Sequence, residues 1–180
     1  MKVKIEILSS NTFKKLPEIL ERAVDALPAE HLVGLDKIVV VDAVMEPRLS
    51  STVRASLPAL YHPKLPGQRA WAEIALGVVA PKKKFPKNLL TRLTLKASLA
   101  QVVISLVAQH YCLNFSKGVK KTQFETACRL YVEKHFDTWR EREGGLRARL
   151  LRPFKPYLDR LAKKLAKKYR AEMERSKSKS

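Results

Sequence analysis

Four side chains of the kinds that hold zinc or build a nucleophile lie near one another in the chain: His110 and Cys112, then Cys128 and His135. Zinc takes thiolate sulfur and imidazole nitrogen, and a thiolate beside an imidazole can attack carbonyl carbon. Neither pair, at i, i+2 and i, i+7, has the i, i+4 spacing that lets two ligands on one helix face grip one ion. Neither cysteine sits in a context that would lower its pKa, so both are expected as reduced thiols packed in a core, with no metal and no cofactor. Glu141 and Glu143 are the nearest approach to an acid/base pair, but they alternate with Arg140 and Arg142 and read as a solvated charge ladder. The six glycines are scattered, and Gly144-Gly145 follows an expected helix, so no phosphate-cradling loop is indicated. His31 and His62 fall in turn-like sequence and are expected in solvent.

The remaining chemistry is charge. The 180 residues carry 36 Lys and Arg against 17 Asp and Glu, a net charge of +19. Residues 1–80 hold 10 basic and 9 acidic side chains and residues 81–180 hold 26 and 8, so the two parts carry +1 and +18. Phosphate polymers are drawn to such a segment, with strong salt dependence. The candidate contacts are Lys82, Lys83, Lys84 and Lys87, then Arg147, Arg149, Arg152 and Lys155, and finally Arg160, Lys163, Lys164, Lys167 and Lys168. A middle group, Lys117, Lys120 and Lys121, adds to them, and Tyr157 and Tyr169 offer rings on which bases can stack. A membrane-surface role fits less well, because the apolar side of the last segment is narrow and lacks Trp and Phe.

Periodicity names the elements that must position these groups. Residues 2–8 alternate, with Val3, Ile5 and Ile7 on one side, and predict a strand. Phe13, Leu16, Ile19, Leu20, Ala23, Val24 and Leu27 recur at three and four and predict an amphipathic helix with Pro17 near its start. Residues 37–42 form a β-branched run typical of a strand buried on both faces. Residues 47–66 read as a loop with a short strand at 53–57, and residues 71–79 alternate again as a strand. Asn88 can cap a helix of about 25 residues that is apolar almost all round, interrupted by a polar seam at Gln101, Ser105 and Gln109. Thr122 and Glu125 form a capping box for a further helix that ends at Gly144-Gly145. Residues 157–175 predict a basic terminal helix, and 176–180 a disordered tail. Residues 97–113 hold 17 residues without formal charge, yet Ser98, Gln101, Ser105, Gln109 and His110 make this a buried helix and not a membrane span.

This order of elements resembles the small bacterial zincin-like metallopeptidases, the compact gluzincin-type domains. The resemblance runs over about residues 27–139. It rests on Leu27-Pro28 with Leu32, Gly34-Leu35 and 38–41, on Leu60-Tyr61 before the strand 72–78, and on Leu99-Ala-Gln-Val-Val-Ile-Ser-Leu-Val-Ala-Gln-His110. In such domains that helix carries His-Glu-x-x-His, two imidazoles one turn apart on zinc and a glutamate as general base. By the resemblance, Ser105 stands for the first histidine, Leu106 for the glutamate and Gln109 for the second histidine, and Glu125 lies roughly where a third ligand would come. Serine and glutamine are poor zinc ligands and leucine accepts no proton, so the resemblance implies the fold without the reaction.

The expected architecture is α+β: a small, mostly antiparallel or mixed sheet packed on a long buried helix and a second capped helix, with a basic C-terminal helix. Residues 1–145 form the zincin-like domain, 146–175 the basic extension and 176–180 the tail. The expected function is a non-catalytic binding or scaffold protein in the cytoplasm that engages the RNA or DNA backbone, or an acidic protein. The alternatives are a hydrolase with an unrecognised site and a structural subunit that binds an acidic partner through its last helix. A small-molecule substrate is not expected, and the first residues carry no pattern of an export signal.

Overall fold

The computed structural model describes residues 3–80, 89–115 and 121–143, and for 89–93, 121 and 122 the backbone alone. The capping residues Asn88 and Thr122, the Gly144-Gly145 stop, the basic helix at 157–175, its tail, and the cations Lys82, Lys83, Lys84, Lys87, Lys117, Lys120, Lys121, Arg147, Arg149, Arg152, Lys155, Arg160, Lys163, Lys164, Lys167 and Lys168 lie outside these residues or have side chains outside them.

Strand β1 (Lys4–Ile7) leads into helix α1 (Leu16–Asp25), a single 3-10 turn (Ala29–Leu32) and strand β2 (Leu35–Val41). Helix α2 (Ser51–Ser56), strands β3 (Ala59–His62) and β4 (Ala70–Ala75), and the short helix α3 (Leu76–Val79) follow. Two long helices, α4 (Leu89–Asn114) and α5 (Lys121–Glu143), complete the described chain. The sheet has the order β1-β2-β4-β3, with β1, β2 and β4 parallel and β3 antiparallel on the edge beside β4. The fold is therefore α+β with a mixed sheet, and two of its three pairings are parallel.

The alternation of the strands sends Ile38, Val40, Ala72 and Ile74, each 0% exposed, to one face. There they meet Leu16, Leu20 and Ala23 of α1 and Leu99, Val103, Ile104 and Val107 of α4 in one apolar cluster. Each Val, Leu or Ile among them contributes about 1.5–3 kcal/mol on leaving water. Helix α4 is mostly buried between Leu99 and Cys112, and its polar seam fades with direction: Gln101 is exposed, Ser105 and Gln109 half-buried. Helix α5 docks by a row of large side chains, Cys128, Tyr131, Val132, Phe136 and Trp139, spaced at three and four. One compact unit spans Met1–Trp139 and a second Arg140–Ser180, and the described part of the second is the end of α5.

Two local expectations fail. Residues 53–57 lie mainly in α2, not in a strand, because Ser50 caps the segment by accepting the Val53 N–H and the strand that pairs with β4 begins at Ala59. The strand expected over 71–79 ends at Ala75, where the backbone turns into α3. Gly77 permits this turn: its N–H donates to the Asp42 carbonyl at 3.0 Å, and a Cβ there would stand 2.5 Å from that oxygen.

Candidate functional site

The long helix α4 brings Ser105 and Gln109 one turn apart on the same side, both half-buried. Leu106 is 1% exposed and belongs to the apolar cluster. Glu125 is exposed on α5. A hydroxyl and a carboxamide in these places lack the donor strength a zinc site needs, and Leu106 supplies no base, so the residues present do not fit the metal that the resemblance implies. Among the described residues, no group of three or more His, Cys, Asp or Glu side chains is placed to hold a metal ion.

His110, directly after Gln109, is the centre of a satisfied buried network. Its Nε2 lies 3.0 Å from the Val33 carbonyl, which can only accept, so the ring proton is on Nε2. Nδ1 is then an acceptor, met by Tyr61 Oη–H at 2.9 Å and Asn114 Nδ2 at 3.1 Å. The same Asn114 amide reaches its own helix at the His110 carbonyl, 2.7 Å away. Burial holds the imidazole below its usual range, against the pull of the Val33 carbonyl, and burial raises Tyr61. Gly34, at φ +92°, takes the left-handed turn next to the ring, with its Cβ position 3.8 Å from His110 Cε1. Both ring nitrogens are committed, so this histidine ties β3, the chain before β2, and α4 together. It is not a free ligand.

A second cluster lies where α5 meets the body. His31, expected in solvent, is half-buried in the 3-10 turn, with Nδ1 2.8 Å from Tyr131 Oη and its ring 4.2 Å from that of Tyr111. His135 is 8% exposed, lies against Tyr131 with ring centroids 4.2 Å apart and planes tilted by 41°, and meets His31 edge-on at 5.6 Å. Burial lowers both imidazoles; each also feels Lys134, and His135 feels His31. Cys112 and Cys128 are free thiols, and burial, together with the adjacent Cys112 thiol, pushes Cys128 up to about 12. A thiol so far from ionisation is a poor nucleophile. The four residues His110, Cys112, Cys128 and His135 thus serve packing and hydrogen bonding.

The third constellation was not visible in the sequence. On the sheet face away from α1 and α4, the His62 ring stacks on Trp71 at 3.9 Å and 5°. His62 is the second histidine expected in solvent, yet its side chain is 16% exposed. Its Nε2 lies 3.3 Å from Glu73 Oε1, close enough for charge attraction but misdirected for a hydrogen bond, and its Nδ1 lies 3.7 Å from Glu46 Oε2. Glu73, 3% exposed, accepts the Met45 N–H at 2.9 Å through Oε2 and so anchors the loop that follows β2. The available signal was a carboxylate in the middle of an otherwise apolar run, Ala72-Glu73-Ile74.

In comparisons with family models, curated proteins and solved structures, nothing matches the chain. Among the described residues no helix is long and apolar enough to cross a membrane.

Proposed function

We propose that the chain is a non-catalytic, zincin-like binding or scaffold protein that engages the backbone of RNA or DNA, or another polyanion, without base specificity. The observation that carries this reading is the division of charge, +1 over residues 1–80 and +18 over 81–180. A near-neutral segment supplies the whole sheet, whereas 15 basic and 5 acidic residues crowd into 140–179. Attraction of that kind comes from release of condensed counterions, which reads phosphate density and not base sequence. The zincin-like part of the reading is supported by the order of elements, with the long apolar helix placed after a sheet whose antiparallel edge strand is β3. The non-catalytic part is supported by Ser105, Leu106 and Gln109, none of which offers the imidazole or carboxylate that the reaction needs.

The test is an electrophoretic shift of the full chain with random-sequence RNA and duplex DNA over a salt series. Binding at about 50 mM salt that weakens steeply, with a log–log slope near −0.9 per neutralised phosphate on duplex DNA, is expected. Absence of any shift at that salt overturns the reading. Truncation after Gly145 removes most of the excess charge, and affinity that survives it unchanged clears the terminal segment of the role. Tight binding of one zinc per chain, measured on protein purified without chelator, would overturn the non-catalytic part alone.

A further inference from the structure

The outer face of the sheet holds a pocket of about 270 Å³. Its floor is apolar: Val39 and Val41 are each 4% exposed although they point away from the helices, and Trp71 adds its indole. Leu8 and Met45 rim it, 69% and 65% exposed, the two most exposed of the large apolar side chains described. A parallel sheet is ordinarily covered on both faces, and here the described residues leave a pocket on this one.

The charged groups in the lining are not balanced. Lys37 Nζ is held by Glu6 Oε2 at 2.8 Å, and Arg69 Nη1 lies 3.6 Å from Asp36 Oδ1. Both bases of the lining thus already face a carboxylate. Glu73 remains, its side chain 4% exposed, with a backbone N–H and a neighbouring imidazole as partners but no Lys or Arg among the described residues. A carboxylate kept this dry is stabilised by any cation that can reach it. Beside it the Trp71 indole is covered on one side by His62, and the surface left over meets the pocket.

We propose that this pocket binds an organic cation, an ammonium or guanidinium group on a short alkyl stem. The head sits between the Glu73 carboxylate and the Trp71 indole, and the stem lies on Val39, Val41 and Met45. Cation–π attraction and the carboxylate act together at the head, and the apolar floor accounts for the stem. The excess positive charge of the chain does not oppose this, because every lining residue comes from the segment with net charge +1. The site is independent of the polyanion reading, since none of its residues lies beyond Glu73.

Trp71 and Trp139 are the only tryptophans, so in a Trp139→Phe background the indole of the pocket is the sole reporter. Titration with agmatine, a guanidinium and an ammonium joined by a butyl stem, is expected to give a saturable change in its fluorescence, whereas butyl phosphate gives none. Glu73→Gln is expected to weaken agmatine about tenfold or more, the usual loss for a hydrogen bond between charged groups. Lys37→Gln, at a partly exposed position, removes a cation from the lining and leaves Glu6 paired with Lys4 alone, and is expected to strengthen binding several-fold. The capped tripeptide N-acetyl-Gly-Arg-Gly-amide separates the sources: tighter binding than agmatine points to a peptide side chain, weaker binding to a free amine. Saturation with neither cation, saturation with butyl phosphate, or an affinity for agmatine unchanged by Lys37→Gln overturns the proposal, and the last of these decides even if Glu73→Gln does not fold.

Discussion

The two faces of the sheet are built from the same strands and do opposite things. On the face toward α1 and α4, Ile38, Val40, Ala72 and Ile74 are sealed in an apolar cluster with no charged member. On the other face, one residue along in each strand, stand Lys37, Val39, Trp71 and Glu73, where charges pair, an imidazole lies on an indole and a pocket remains open. The lesson is about where information is stored. The inner face is specified mainly by apolarity, with the Tyr61–His110 bond at its β3 edge as the exception, and tolerates little loss of volume, whereas the outer face is specified by particular partners and can be edited one group at a time.

That contrast is broken first at the inner face. Ile74→Ala removes a side chain with 0% exposure and is expected to cost about 2–5 kcal/mol in chemical denaturation, from lost transfer energy and an incompletely collapsed cavity. A loss below about 1 kcal/mol would show that the face relaxes freely, contrary to its packing. His110→Phe comes next. It keeps the ring volume but takes the donor from the Val33 carbonyl and the acceptor from the Tyr61 O–H, whose oxygen keeps Asn114, and a loss of about 1–3 kcal/mol is expected, partly recovered by adding Tyr61→Phe. A double variant no more stable than the single one would show that the network carries no coupling.

His31, His110 and His135 all have imidazoles lowered by burial, so each takes up its proton more readily in the unfolded chain than in the folded one. The unfolded state therefore binds more protons, and stability is complete above the usual histidine value of about 6.5 and declines as pH falls through it toward the depressed folded values. A midpoint of thermal unfolding that is flat between pH 7.5 and pH 5.5 would refute this. In the double variant His31→Gln, His135→Gln the decline is expected to shrink. The smallest effect belongs to the surface: Glu18→Gln, which removes the exposed i, i+4 pair with Arg22, is expected to change stability by no more than about 0.5 kcal/mol.

How much of this was legible depended on how local the cause was. The alternation of Val3, Ile5 and Ile7, the three-and-four spacing from Leu16 to Val24 and the long apolar run around Val103 each announce an element, because a period is a property of neighbours in sequence. Residues 53–57 misled for the same reason: a β-branched residue inside a Pro- and Ser-rich stretch looks like a strand, but the Ser50 cap decided for a helical turn. His31 and His62 were misjudged because their covering groups, Tyr131 at a separation of 100 residues and the Trp71 indole across a β-ladder, leave no trace in adjacent residues. The cation pocket was out of reach altogether, since its lining is gathered from four separate stretches between Glu6 and Glu73.

By itself, then, the sequence determined that β1, α1, β2, α4 and α5 exist, which of their sides are apolar, and that the positive charge lies after residue 80. Those follow from composition and period, which act within a few residues. Only the tertiary structure decided that His110 is a sealed hydrogen-bonding centre, that Cys112 and Cys128 are adjacent, and that Glu73 is kept dry beside Trp71. Those depend on which groups exclude water from which others, and burial is settled by the packing of elements distant in the chain.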